Sequence, residues 1–443
     1  MTQKPNTPRP FSRELWTEQI AEGKTKVLLI NPEDLGVVLI RSKDRLTKND
    51  DPSQTKVMEG KAAHATTTTC AVFSLLRQAG VPVAFNEQVS ETEFLAPRCE
   101  MIKLEVVARR YADGSYLKRS PNLKKGAHNP PHRFHRLVIE FFLKTTAGKI
   151  VDKGERELSI NLPIDDPFIT TPYEETWPLK HPKVPGWDQD SDLSRQVQRK
   201  DFLPKGVTVE KIEEITRRVF LVLESAWAQL GCRLIDFKIE FGIGPNGELL
   251  VADVIDNDSW RLRTFAWEEL SKQLFRDNAA MAQIMDKYAL VAGLVGRFSI
   301  PKQAVVLWRG SENDKLPVVP ELAGVKTVSV VQSGHKSPAA CLLALEDALA
   351  GYPGGGVILA LVGKSNGLGP TLAARTSWPV ISVPLTAKDR PHDAWSSLEM
   401  PSQVPNLTVL SPENAVLAAL NILAQQNPAV YMFRQYDIEL LDE

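Results

Sequence analysis

The chain is predicted to fold as an α+β domain followed by an α/β domain built on a parallel sheet. Three observations lead there. Near the middle, Leu234-Ile-Asp-Phe-Lys-Ile-Glu-Phe-Gly242 and Leu250-Val-Ala-Asp-Val-Ile-Asp-Asn-Asp-Ser-Trp-Arg261 read as two strands joined by the turn Gly244-Pro-Asn-Gly247. Just before them, Ile212, Ile215, Val219, Val222 and Leu223 form one stripe at helical spacing. Beyond residue 298, short apolar runs alternate with Ala/Leu-rich stretches, the pattern of parallel strands covered by helices on both faces.

In chain order, Lys24-Thr-Lys-Val-Leu-Leu-Ile30 and Gly36-Val-Val-Leu-Ile40 read as strands about a turn, and a charged loop runs from Ser42 to Asp51. Gly60 to Ala79 reads as a helix, with Ala62, Ala63, Thr66 and Val72 at helical spacing and Gly80 as its stop. Strand-like pieces alternate through Phe142. Thr170 to Pro204 is rich in Pro, Trp and charge without a clean period, which predicts a long ordered loop or insertion. Thr208 is the expected N-cap of the amphipathic helix and Gly231 its end. Trp267 to about Arg297 is predicted helical.

Around Ser299-Ile-Pro-Lys302 the character changes, which divides the chain into domains 1–298 and 299–443. The strands expected in the second are Ala304–Trp308, Thr327–Val331, Gly356–Val362 and Pro379–Val383. Lys315 to Gly324 holds Pro317 and Pro320. An interior proline costs a helix about 3 kcal/mol, so the helix expected there is reduced to a turn.

Composition excludes several functions. Of 443 residues, 43% are apolar, enough for real cores. Lys+Arg 53 against Asp+Glu 54 leaves a net charge of −1, so no basic field points to nucleic acid or an anionic membrane. Cys70, Cys99, Cys232 and Cys341 are scattered with no CxxC pair, which argues against a zinc site or disulfide framework and for reduced thiols. The start, MTQKPNTPRPFSRELW, lacks the apolar core of a signal peptide, and no run approaches the roughly 20 apolar residues of a membrane span. A cytoplasmic protein is expected.

The first candidate site follows from alternation. On the first of the two central strands Asp236, Lys238 and Glu240 share one face, opposite Ile235, Phe237, Ile239 and Phe241. The return limb adds Asp253, Asp256, Asp258 and Arg261. Hard carboxylate oxygens on neighbouring strands suit Mg²⁺ held against nucleotide phosphates; the competing reading is a solvated face of charge pairs. Glu22-Gly-Lys-Thr-Lys26 places two lysines beside a glycine that admits a phosphate, without Walker spacing, and reads equally as a surface turn. Arg109-Arg-Tyr-Ala-Asp-Gly-Ser-Tyr-Leu-Lys-Arg119 offers guanidinium forks for a phosphate or carboxylate, or a solvated basic face.

In the second domain, Gly310-Ser-Glu-Asn-Asp314, Ser333-Gly-His-Lys-Ser-Pro338 and Gly363-Lys-Ser-Asn-Gly-Leu-Gly-Pro370 each follow a predicted strand. Ligands bind at such carboxyl ends in open parallel sheets. Bared backbone N–H groups there suit an anion or CO₂, and His335 beside Lys336 supplies a proton shuttle and a cation.

Taken together and in this order, EGKTK, the SKD loop, EGKAA at 59–63, Glu100-Met101, ARRYADGSYLKR, Asp165-Asp-Pro167, LIDFKIEFG, ADVIDNDSWRL and Lys272-Gln-Leu-Phe-Arg276 resemble SAICAR synthetase over about residues 12–290. The likeness is nearest to the animal bifunctional form, in which that enzyme is fused to an aminoimidazole ribotide (AIR) carboxylase. It implies a two-lobed ATP-binding α+β fold followed by a three-layer Rossmann-like α/β domain. It also implies a reaction in de novo purine biosynthesis: ATP, carboxyaminoimidazole ribotide and L-aspartate give SAICAR, ADP and phosphate, with Mg²⁺ as cofactor.

The resemblance assigns Lys24, Lys26 and Lys272 to ATP phosphates and Glu100 and Met101 to the adenine hinge. It assigns Glu240 and Asp253 to the metal, Lys238 and Asp236 to catalysis, and Arg109, Ser115, Arg261, Asp258 and Arg276 to the ribotide. Asp166 falls to the amino-acid acceptor. In the second domain it implies CO₂-dependent carboxylation at Ser311, Asp314, Ser333, His335, Lys336, Ser365, Asn366 and Gly367, and homo-oligomers assembled through that domain. Thr47-Lys-Asn-Asp50 departs from the family's Thr-Ala-Gly-Asn, and Asn313, Gly334, Lys364 and Arg375 replace family residues in the carboxylase loops. Three further readings stay open at this point: a catalytically silent C-terminal scaffold, a relative acting on a different carboxylated nucleotide, and a nucleotide-binding regulator without turnover.

Overall fold

The computed structural model describes residues 11–47, 55–126, 129–146, 148–159, 165–277 and 279–441. Backbone contacts divide the chain into two compact units, Met1–Phe298 and Ser299–Glu443.

The first unit holds two main antiparallel sheets. The smaller comprises β1 (Glu18–Glu22), β2 (Lys26–Asn31), β3 (Asp34–Ser42), β6 (Glu87–Gln88) and β7 (Glu93–Pro97), in the order β1-β2-β3-β7-β6. Between β3 and β6 come the ribbon of β4 (Arg45–Thr47) and β5 (Thr55–Val57) and helix α1 (Lys61–Gln78), which ends at Gly80 with φ +77°. Lys48, Asn49 and Asp50 of the Thr47–Asp50 loop lie outside the described residues.

The larger sheet holds β8 (Glu100–Tyr111), β9 (Arg133–Leu143), β12 (Phe168–Ile169), β13 (Thr176–Lys180), β14 (Asp192–Gln198), β15 (Cys232–Ile243), β16 (Leu249–Val251) and β17 (Trp260–Thr264). Helix α2 (Ser115–Arg119) and a small ribbon of β10 (Ile150–Val151) and β11 (Glu157–Ser159) interrupt the run between its strands. Helix α3 (Val209–Gln229) is capped as its sequence predicts, the Thr208 side chain accepting from the Lys211 N–H at 3.2 Å. Its stripe of Ile212, Ile215, Val219, Val222 and Leu223 is buried, and Phe220 packs on Phe237 of β15 at a ring-centroid distance of 5.4 Å. Each such side chain removed from water contributes about 1.5–3 kcal/mol. The apolar face of β15 is thereby sealed.

Three expectations are corrected. First, Thr170 to Pro204 is not a loop: it contains β13 and β14, which extend the large sheet outward from β12. Trp177 and Leu179 alternate inward, and Trp177 stacks on Phe202, a period-2 signal hidden among prolines and charges. Second, 267–297 is not one helix. Trp267 takes φ +68°, and Ser271 bonds the Glu269 carboxylate at 2.5 Å instead of continuing a helix. Helix α4 (Gln273–Arg276) and helix α5 (Met281–Val295) follow separately. Third, the return limb after Gly247 is an interrupted strand. Ala252 N–H bonds the Glu240 carbonyl at 3.0 Å and Lys238 N–H bonds the Ser259 carbonyl at 2.8 Å. Asp253, Asp256 and Asp258 lie on the loop between those two points, not on a strand.

The second unit is a five-stranded parallel sheet of β18 (Gln303–Arg309), β19 (Val325–Val331), β20 (Gly356–Val362), β21 (Val380–Pro384) and β22 (Asn406–Thr408), ordered β19-β18-β20-β21-β22. Val305, Leu307, Leu359 and Ile381 pack against α9 (Pro412–Leu423) and Val430 of α10 (Pro428–Leu440). Val306, Trp308, Ile358 and Ala360 pack on the opposite side, where Cys341 and Leu345 of α6 (Pro338–Ala350) and Leu372 of α7 (Leu368–Ala373) cover them. Helix α8 (His392–Leu398) follows β21. Residues 315–324 form no helix, as Pro317 and Pro320 dictate.

Candidate active site

The site of the first unit grows from the register of β15 against β8. Asp236 stands opposite Arg109 and Glu240 opposite Glu105. The carboxylates on the polar face of β15 are not solvated, since Asp236 and Glu240 are each only 4% exposed, while Lys238 between them is half-buried. Buried charges of this kind persist only when paired, and three clusters supply the partners.

At one end of β15, Arg109 donates to Glu140 at 2.6 Å, to Asp236, and to the Ser115 hydroxyl at 3.1 Å. Arg261 shares the same Asp236 oxygen at 2.5 Å, and Arg119 bonds Glu140. Burial opposes the Arg109 charge, but Glu140 and Asp236 outweigh it and hold the guanidinium above its ordinary value. Gly114, at φ +56°, lies under this crossing, and a Cβ there would overlap the Arg261 guanidinium. Only glycine permits both the backbone angle and the close approach.

At the other end, the Lys238 ammonium lies 2.9 Å from Glu105 and 2.9 Å from Glu240, and Lys144 bonds the same two carboxylates. Burial alone would raise the Glu240 pKa, yet Lys238 and Lys144 hold the carboxyl well below the usual range. Lys26, on β2, pairs with Asp253. Burial pushes the Lys26 ammonium down to about 8, and the cations Lys238 and Lys144 add to that against Glu240 and Asp256.

A third cluster surrounds Asp258. Lys61 of α1 reaches it at 3.1 Å, Lys272 at 3.6 Å, and the Tyr288 hydroxyl of α5 bonds its other oxygen. Burial resists the Asp258 charge, and Lys61 and Lys272 overcome it, holding the carboxyl low. Neighbouring Asp256 is pushed up by burial and by Asp258.

Of the residues expected from sequence, Lys26, Lys238, Glu240 and Asp253 are thus brought together, as are Arg109, Asp236, Ser115 and Arg261. Asp236 is paired with Arg109 and Arg261, and Asp258 with Lys61 and Lys272. Lys24 lies in the turn between β1 and β2. Glu100 and Met101 open β8 beside a cavity of about 470 Å³ lined by Leu35, Gly36, Cys99 and Pro245. Arg276 ends α4 and donates to Gln273 at 3.3 Å. Asp166 accepts from the backbone N–H and hydroxyl of Thr145 at 2.7 and 3.0 Å.

Sequence reasoning missed Glu105, Glu140, Lys144, Lys61 and Tyr288 as site residues. Glu105 carried a signal, because it alternates with Lys103 and Arg109 along β8. Lys144 and Tyr288 carried none, since only the tertiary fold brings them to Glu240 and Asp258.

In the second unit, β18 lies between β19 and β20, so the three loops leave one sheet edge side by side. The His335 imidazole rests on the Gly367 backbone, where a Cβ would overlap its ring, and a Cβ on Gly334 would lie 3.0 Å from the Gly367 carbonyl. Asn366 is buried and internally spent: its amide donates to Ser382 at 2.8 Å and Ser397 at 3.0 Å and accepts from Gly369 at 2.8 Å. These bonds anchor the loop. Ser333 accepts from the Lys336 N–H at 3.2 Å, Ser311 accepts from the Asn313 N–H at 3.3 Å, and the Asp314 carbonyl accepts from Arg309 at 3.0 Å. Ser365 and Lys336 are exposed.

Comparison with known proteins is consistent across both units. Residues 19–159 and 187–291 match the family described as SAICAR synthetase, and residues 313–436 match AIR carboxylase. The chain is 36% identical over 442 residues to the probable multifunctional protein ADE2 of Caenorhabditis elegans, covering 96% of this chain and 93% of that one. It is 34% identical over 442 residues to the multifunctional protein ADE2 of Gallus gallus, covering 94% and 91%. It is 32% identical over 437 residues to the bifunctional phosphoribosylaminoimidazole carboxylase/phosphoribosylaminoimidazole succinocarboxamide synthetase of Homo sapiens, covering 94% and 92%.

Proposed function

The chain belongs to the SAICAR synthetase family, with an AIR carboxylase domain fused behind it, and on that footing we propose how its clefts divide the work. The enzyme is a carboxylate–amine ligase of purine biosynthesis. The face of β15 is where ATP activates the carboxylate of carboxyaminoimidazole ribotide for attack by L-aspartate. A carboxylate is a poor electrophile. Transfer of the ATP γ-phosphoryl group to it gives an acyl phosphate, and amine attack then expels phosphate.

One observation carries this reading: Asp236, Lys238 and Glu240 follow one another along a single strand face, with guanidinium groups at one end and ammonium groups at the other. The Arg109 and Arg261 end suits the ribotide's phosphate and carboxylate, because guanidinium binds such oxyanions bidentately. The Lys26 end suits ATP phosphates as compact point charges. Held between the two, the reacting groups need only positioning and charge stabilisation.

Two carboxylates, Glu240 and Asp253, fit Mg²⁺, which takes one or two protein carboxylates and completes its shell with phosphate oxygens and water. The ion would neutralise charge on the transferring phosphoryl group. Lys26 pairs with Asp253, and Lys144 and Lys238 pair with Glu240.

Purified protein given ATP, Mg²⁺, L-aspartate and carboxyaminoimidazole ribotide is expected to release ADP and SAICAR. Absence of SAICAR with that ribotide would overturn this assignment.

The second unit is assigned carboxylation of aminoimidazole ribotide with CO₂, with His335 at the loop junction as proton carrier. AIR and bicarbonate alone test it, and a rate no greater than without protein would leave that unit a scaffold. Exposed Trp395, Leu398, Leu407 and Leu410 on that unit support self-association there, which light scattering would measure. Four free cysteines support a reducing compartment such as the cytoplasm.

A further inference from the structure

Aspartate arrives with its amino group protonated, and an ammonium has no lone pair with which to attack an acyl phosphate. Some group must take that proton. The cations near β15 cannot, and Glu105 and Glu240 are already shared between Lys238 and Lys144.

We infer that Asp166 is the base that takes a proton from the ammonium of the incoming amino acid, so that the freed amine attacks the acyl phosphate. This rests on the ligase reading above. Asp166 is pinned at the end of β9, where Leu143 N–H bonds the Pro167 carbonyl at 2.9 Å. Only one of its carboxylate oxygens, Oδ1, has protein donors among the described residues, both from Thr145. The other is left for a substrate N–H.

The groups facing Asp166 are Glu105 from β8 and Lys144 and Thr145 from the segment after β9. The adjacent Asp165 is paired with Lys183 of the β13–β14 connection at 2.5 Å. Burial and the Glu105 charge raise the Asp166 carboxyl to about 6, against Thr145 and Lys144. A carboxylate so tuned is a stronger base than a solvated one and is still ionised at neutral pH.

The step balances. The N–H bond breaks, its proton joins Asp166 Oδ2, and the nitrogen lone pair forms the new C–N bond. The C–O bond to phosphate breaks with its electron pair on the leaving oxygen, and the second proton lost by the new amide nitrogen leaves with phosphate.

The test compares two acceptors. Hydroxylamine is unprotonated at neutral pH and needs no base, so it should trap the same acyl phosphate as a hydroxamate. Asp166→Asn is expected to lower kcat with saturating L-aspartate by about 10²–10⁴-fold, the usual contribution of a general base, while hydroxamate formation stays within about threefold. In the unaltered enzyme kcat for aspartate should climb with pH through about 6, because the base must be ionised, and Asp166→Asn should lose that limb. Thr145→Val, which removes a donor to the carboxylate, should move the limb to higher pH and leave the fold intact.

Equal loss with both acceptors, no loss with either, or a rise only in KM for L-aspartate would overturn the assignment. If the unaltered enzyme made neither product, the ligase reading itself would fall, and this inference with it.

Discussion

Glu105 and Glu240 stand directly opposite one another on β8 and β15, and the Lys238 ammonium lies 2.9 Å from each. Like charges opposite each other destabilise a sheet; here Lys238 and Lys144 turn the repulsion into a ring of alternating charge. Glu105 therefore aims Lys238 into the cleft. A charge-assisted hydrogen bond is worth about 1.5–3 kcal/mol, so Glu105→Gln should lower kcat/KM for ATP by roughly 10- to 100-fold while the protein stays folded. Unaltered steady-state kinetics would show that Glu105 is idle.

Asp253 pairs with Lys26 from the loop that breaks the return strand. Asp253→Asn should reduce SAICAR formation by at least about 10²-fold, the scale of losing one preorganised electrostatic group. AIR carboxylation, measured in the same preparation, should not change. Loss of both activities together would mean the substitution unfolds the chain rather than disables a site.

Asp236 is the shared counter-ion of Arg109 and Arg261. Its neutralisation leaves a guanidinium that is 3% exposed with one partner fewer. Breaking a buried pair in this way costs about 3–5 kcal/mol. Asp236→Asn is expected to lower the thermal midpoint of the first unit by several degrees and to raise KM for the ribotide. A calorimetric trace that superimposes on the parent would contradict the network.

Gly367 supports the His335 imidazole, and a methyl group there would meet the ring, an exposed side chain free to swing away. Gly367→Ala should thus keep the fold and lose most carboxylation, with SAICAR synthesis intact. Carboxylation at the parent rate would place the proton carrier elsewhere.

Burial pushes the Cys70 thiol up to about 12 and the Cys99 thiol up to about 11. Both are protonated at neutral pH, and the thiolate is the reactive form. Native protein should resist alkylation at both positions, and denaturant should release four reactive thiols, matching the four free cysteines. Rapid native labelling of Cys99, read by mass spectrometry, would mean that the hinge segment opens.

Much of this molecule is legible in its sequence. The period of α3, its Thr208 cap, the alternation of Asp236, Lys238 and Glu240, and the alternating strands and helices beyond 298 follow from local rules, because a buried face must repeat with the geometry of its element. The prolines at 317 and 320 announced the missing helix. Local rules failed where the decisive contacts were distant. Trp177 and Leu179 form a strand only because the edge of β12 is there to receive them. The carboxylates after Ala252 leave the ladder because residues 253–258 arch away between two backbone bonds to β15. Asp236 and Asp258 stood out in the sequence as charges, but their partners Arg109, Arg261, Lys61 and Tyr288 arrive from other elements. Sequence determined which charges share one face of β15; tertiary structure decided that its carboxylates are buried and which partner each has, because burial makes pairing obligatory while only the fold sets who is near.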